Sequence, residues 1–172
     1  GPNIANLGDP NYTFDAGLGA FIVNQAVNFR GDAGENSDNG IFVGPEMPDA
    51  LIPGLPGSTG STEQAAAEAI AFLEFPSAGT YEFAVQSDDA FKLSVGINPR
   101  DRFATTLRQF SGERSMAESR VILVNITEPG VYPFRCVWAN RLGSSGWEWY
   151  LYDNGTPVAV GATGNRVKSY WS

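Results

Sequence analysis

Asp88 and Asp89, inside the stretch QSDDAF (86–91), are the residues whose types and spacing most plainly offer chemistry. Neighbouring side chains on a β-strand point to opposite faces. A strand running through this pair would send one carboxylate toward the core, where an unpaired charge is costly. Either the strand stops here and both aspartates are solvated turn residues, or a cation gathers them. The absence of histidine from the chain narrows the options. It excludes Ser–His and Cys–His nucleophiles and zinc sites built on imidazole. Carboxylate-pair catalysis and hard-metal sites made of oxygen ligands remain. The single cysteine, Cys136, can form no internal disulfide and reads as a small buried hydrophobe within VYPFRCVW.

The elements that must position the aspartates are strands. Glycine (20) and proline (11) punctuate short apolar segments, the pattern of an all-β antiparallel sandwich with long surface loops. Strands are expected at Tyr81–Gln86, Phe91–Val95, Val121–Ile126, Tyr132–Trp138 and Trp147–Tyr152, with a last short one through Pro157–Val160. The first and fourth of these should be central. Asp153-Asn154-Gly155 predicts a tight hairpin, because Asn-Gly tolerates positive φ. The segment EQAAAEAIAFLEF (63–75) mixes helix formers with alternation, so its start is expected to be helical and its C-terminal half a strand. Residues 31–64, rich in Gly, Pro, Asp and Ser, predict a long surface excursion.

At 172 residues the chain is expected to form one domain, residues 1–172, and Gly1-Pro2 reads as the remnant of a cleaved tag. No apolar run is long enough to span a membrane. A net charge of −8 makes nucleic acid and anionic lipid poor partners. Further candidates each carry two readings. Trp147, Trp149 and Leu151 share one strand face and could stack on sugar rings, but an alternating aromatic strand reads first as core. Asp32, Glu35, Asn36 and Asp38 could hold a calcium ion, separate from any cation at Asp88 and Asp89. Their spacing misses the EF-hand pattern, however, and a flexible acidic loop is the preferred reading. Arg100, Arg102, Arg108 and Arg114, in segment 98–119, could rim the site.

GTYEFAVQSDDAFKLSVG (79–96), followed by PGVYPFRCVWAN (129–140) and GWEWYLYD (146–153), resembles the protective-antigen-type β-sandwich family, named after the anthrax toxin component. That family recurs in flocculins, epithelial adhesins, bacterial adhesins and glycosidases. The resemblance implies a cis peptide bond between Asp88 and Asp89, with both carboxylates on one calcium ion. It implies Asn140 as the third side-chain ligand and carbonyl donors at Leu142 and Ser144. Sugar hydroxyls would then bind on the ion beside Asp88, Asp89 and Asn140, with Arg141 within reach of the sugar. The implied setting is extracellular or cell-surface, preferably bacterial, with the isolated domain monomeric. Two functions compete: a calcium-dependent carbohydrate-binding module, and a non-lectin structural or protein-interaction module. Neither is an enzyme, although either could be an accessory domain of one.

Overall fold

Apolar residues at every second position favour strands, because period-two alternation gives each strand one face to bury. The computed structural model describes residues 11–31, 40–43, 45–55 and 63–170, and among these there is no helix. Gly1-Pro2 and residues 32–39 of the acidic stretch lie outside the described residues. In chain order the strands are β1 (Thr13–Asp15), β2 (Ala20–Ile22), β3 (Asn28–Arg30), β4 (Ala50–Leu51), β5 (Ala65–Phe75), β6 (Gly79–Asp88) and β7 (Ala90–Val95). They continue as β8 (Thr105–Phe110), β9 (Ala117–Ile126), β10 (Gly130–Asn140), β11 (Gly146–Asp153), β12 (Thr156–Ala159) and β13 (Lys168–Tyr170).

The architecture is an all-β sandwich. One sheet has the order β13-β5-β10-β7-β8, and the other β4-β3-β11-β6-β9, with β12 also on β11. Strands β1 and β2 form a separate hairpin. Pairing is antiparallel except between β3 and β4. The expected central strands are central: β10 lies between β5 and β7, and β6 between β11 and β9. Their inward aromatic residues build the core. Phe83 packs on Phe134 at 5.6 Å, and Trp138 stacks on Trp147 at 6.4 Å. Trp147, Trp149 and Leu151 are buried in this core, which rules them out as an exposed sugar platform. Cys136 is buried as well, and burial pushes its thiol up to about 12. The Asn-Gly turn forms as expected, with φ of 51° at Asn154 and 81° at Gly155.

Two expectations are corrected. The start of segment 63–75 is not helical: Ala65–Phe75 is one strand, paired with β10 from Ala65↔Asn140 to Phe75↔Gly130. Alanine's helix preference is worth only fractions of a kcal/mol per residue, so continuous ladder pairing and burial of Ala65, Ala71, Leu73 and Phe75 override it. Nor is 31–64 wholly a surface excursion. Ile52 is buried in the core, and Ile41, Phe42 and Met47 lie against β3 and β11. Asn28 Nδ2 donates to the carbonyls of Phe42 (3.2 Å) and Met47 (3.0 Å), and the Phe42 ring packs edge-on against Tyr150.

Glu148 anchors Ile41 and Phe42. Its buried carboxylate accepts the Ile41 N–H on both oxygens (3.0 Å each) and the Phe42 N–H on Oε1 (2.9 Å). Gly40, at φ 120°, abuts it so closely that an added Cβ would stand 2.1 Å from Oε1. Burial pushes the Glu148 carboxyl up to about 6, opposed by those N–H bonds and aided by the charges of Asp49 and Glu118. A folded pKa above the unfolded one means that the native state binds the proton more tightly. The stability from this group is therefore fully present below the unfolded pKa and is lost as pH rises through about 6. Wild-type stability minus that of Glu148→Gln is expected to rise by about 1 kcal/mol from pH 7 to pH 5. Denaturant melts at the two pH values check this; identical pH slopes would contradict it.

Candidate metal and ligand site

The carboxylates sit where the chain changes sheets. Asp88 is the last residue of β6, and β7 begins at Ala90 in the opposite sheet. The strand thus ends at the pair, and neither side chain is forced into the core by alternation. The Asp88–Asp89 peptide bond is cis. Behind it, Trp138 Nε1–H donates to the Asp88 carbonyl at 2.9 Å, and the Ser87 hydroxyl to the Asp89 carbonyl at 2.8 Å.

Three segments meet around this crossover. Asp89, only 4% exposed, accepts the Arg114 N–H on Oδ1 at 2.9 Å and the Arg141 N–H on Oδ2 at 2.8 Å. One carboxylate therefore ties the β8–β9 link to the loop that follows β10. Asn140, the buried last residue of β10, donates its Nδ2 to the Gly143 carbonyl at 3.3 Å. In the loop after it the carbonyls divide by position. Those of Arg141, Gly143 and Ser145 accept from Gln64 N, Asn140 Nδ2 and Gly31 N respectively. Among the described residues no donor engages the carbonyls of Leu142 or Ser144. Gly143, at φ 78°, supplies the left-handed turn in this loop.

Asp88, Asp89, Leu142 and Ser144 line one open cavity of about 380 Å³, together with Glu113, Arg114 and Ser115. The Arg141 side chain is 70% exposed and pairs with Glu113 at the rim. Of the four arginines in 98–119, only Arg114 lines this cavity; Arg100 lines another and donates to the Leu18 carbonyl. That second cavity, about 1090 Å³, lies between the β1–β2 hairpin, β5 and residues 52–55, and holds none of the predicted ligands. Its greater size carries no chemistry of its own, since mostly apolar side chains form its walls.

The donor chemistry suits a hard ion. Among the described residues no three His, Cys, Asp or Glu side chains group around a metal. Two carboxylates, an amide oxygen and main-chain carbonyls form an all-oxygen set, which fits calcium and not zinc. Sequence reasoning placed Arg114 only among four arginines that could rim the site, and it missed the two main-chain N–H groups on Asp89. The guanidinium of Arg114 donates to the Ser87 carbonyl (3.0 Å), Ser87 Oγ (2.6 Å) and Ser119 Oγ (3.0 Å). Burial lowers its pKa, while the charges of Asp88 and Asp89 act in the opposite sense. No local signal marks that role, since the long-range fold alone brings the 111–116 link to β6.

The fold defines an all-β sandwich module whose adjacent aspartates sit at the crossover between its sheets. Residues 65–153, from β5 through β11, match the GLEYA domain model, and the chain belongs to that family. Three solved structures are similar. The PA14 domain of the antifreeze protein MpAFP is 18% identical over 55% of this chain and 46% of its own, at a TM-score of 0.44. The epithelial adhesin 6 A domain of Candida glabrata, in complex with Galβ1-3GlcNAc, is 18% identical over 82% and 65%, at 0.53. The epithelial adhesin 9 A domain of the same organism, in complex with the same disaccharide, is 18% identical over 86% and 73%, at 0.56. At these identities the likeness to the two adhesin domains shows the fold alone. The chain spans less than two thirds of the first two structures. No curated protein matches the sequence.

Proposed function

We propose that this domain binds carbohydrate through a calcium ion, as one module of a larger secreted or cell-surface protein. Asp88, Asp89 and Asn140 would hold the ion with the carbonyls of Leu142 and Ser144. The observation that carries the reading is convergence: both carboxylates and both carbonyl-bearing residues line one cavity, with Asn140 beside it. Membership of the GLEYA family supports it, as do the adhesin domains crystallised with Galβ1-3GlcNAc. So does the resemblance of 79–96, 129–140 and 146–153 to protective-antigen-type sandwiches. Bound calcium supplies a centre that exchanges coordinated water for sugar hydroxyls. The aspartates accept hydrogen bonds from those hydroxyls, and Arg141 donates at the rim. The residues act by binding and orienting; no catalytic pair is invoked.

Affinity for one sugar should be weak. Hydroxyls give up good hydrogen bonds to water, so each contact nets on the order of 1 kcal/mol. Dissociation constants of about 10⁻⁶ to 10⁻³ M follow, and display of many copies converts them into firm adhesion.

A specific observation favours the structural-module alternative. Asp89 accepts two main-chain N–H groups and so ties two loops together through the protein's own hydrogen bonds. Calcium separates the readings. An ion bound only by the native state, at a hundredfold its dissociation constant, adds about 2.7 kcal/mol. Chelator should therefore lower the melting temperature by about 5–10 °C. Asp88→Asn, which keeps the loop-tying carboxylate, should abolish that difference. A melting temperature indifferent to chelator, with no calcium heat by calorimetry, would leave the structural module as the function.

A further inference from the structure

We propose that Arg114 is a built-in counter-cation of the aspartate pair, holding the site together without calcium and holding calcium affinity down. The inference rests on the calcium reading above and concerns how that same site is regulated.

The seat of the guanidinium is rigid. It is fixed by its three bonds to Ser87 and Ser119, and it lies 4.3 Å from the Phe110 ring centroid and 5.6 Å from that of Phe91. None of those bonds goes to a carboxylate. The bond that does position Asp89 comes from the Arg114 main-chain N–H, which any substituent would keep. The side chain therefore acts on Asp88 and Asp89 through space, as a fixed positive charge lining the same cavity. Nor is it needed as a tie between strands. The β6–β9 ladder already pairs Val85 with Ser119, Gln86 with Glu118 and Ser87 with Ala117.

Two consequences follow from Coulomb's law. In the calcium-free protein two adjacent carboxylates repel, and the guanidinium offsets that repulsion. When a divalent ion arrives, the same rigid charge repels it and cannot swing away. Calcium affinity in oxygen-ligand sites follows the charge count of the site, and Arg114 reduces that count by one. The site then fills and empties reversibly without the crossover coming apart.

The test is calcium titration calorimetry, with melting in chelator and in excess calcium, on the wild type, Arg114→Met and Arg114→Lys. Methionine keeps an apolar stem between the two phenyl rings and removes the charge; lysine keeps the charge and removes the planar fork. Arg114→Met is expected to bind calcium about tenfold more tightly and to lose more melting temperature in chelator than in calcium. Arg114→Lys should stay within about threefold of the wild-type affinity, because its charge is retained. Folding of Arg114→Met only in calcium would also support the proposal. Unchanged or weaker affinity in Arg114→Met, or tightening in Arg114→Lys equal to that in Arg114→Met, would overturn it while the calcium site stands. If Arg114→Met folds in neither condition, Arg114→Lys decides on the same threefold criterion. No calcium heat in any protein, wild type included, would overturn the calcium reading itself and this inference with it.

Discussion

Asp89→Ala is expected to lower the stability of the domain by about 2–4 kcal/mol in chelator, before any metal is involved. The carboxylate accepts the Arg114 and Arg141 N–H groups, and bonds to a charged acceptor are worth about 1.5–3 kcal/mol each. Water can reach the Arg141 side of the loop, and removing one of two adjacent carboxylates relieves repulsion. Both effects pull the estimate below the full sum. The truncation also frees the 111–116 link and the 141–145 loop from one another, so the carbonyls of Leu142 and Ser144 lose their common register with Asp88. Calcium should then fail to restore the lost stability. Urea melts in chelator and in calcium measure both parts. A chelator midpoint equal to that of the wild type would show that the two loops do not depend on this carboxylate.

Trp138→Ala should cost more, about 3–5 kcal/mol, because it empties a fully buried site between the sheets. The ring stacks on Trp147 at 6.4 Å and lies in the strand pair opposite Ala67 and Phe91, so the cavity cannot close without moving central strands. A second effect reaches the site. Nε1–H donates to the Asp88 carbonyl, so the core itself holds the crossover peptide in place. Trp138→Phe separates the two roles. It keeps most of the ring and removes the donor, which should lower stability by roughly 1–2 kcal/mol and still weaken calcium binding. If Trp138→Phe loses stability but binds calcium like the wild type, the indole anchors only the core.

How far the molecule could be read in advance depended on where each signal resides. Dense alternation made β6, β7, β9, β10 and β11 legible, and Asn154-Gly155 marked its turn, because those signals are local. The start of β5 was not legible: its alanines favour helix locally, and only the ladder with Gly130–Asn140 makes them a strand. The cover over Glu148 was hidden for a similar reason. A glutamate between two tryptophans on β11 reads as solvent-facing until residues 41–42 are seen to cap it. At the candidate site, the side-chain pair Asp88-Asp89 stood out, while Asn140, Leu142 and Ser144 entered through the family resemblance. The main-chain N–H groups on Asp89 carry no sequence signature at all. Arg114 was visible only as one of four arginines, and the fold alone distinguishes it from Arg100.

A calcium-dependent lectin function requires that sugar binding run through this carboxylate pair. The most direct measurement is a broad glycan array probed with multivalent protein in calcium, in chelator, and as the Asp88→Ala variant. Binding to a subset of glycans in calcium, lost in chelator and lost in the variant, is the predicted result. Binding that survives both chelator and Asp88→Ala would place the sugar elsewhere on the domain and contradict the account.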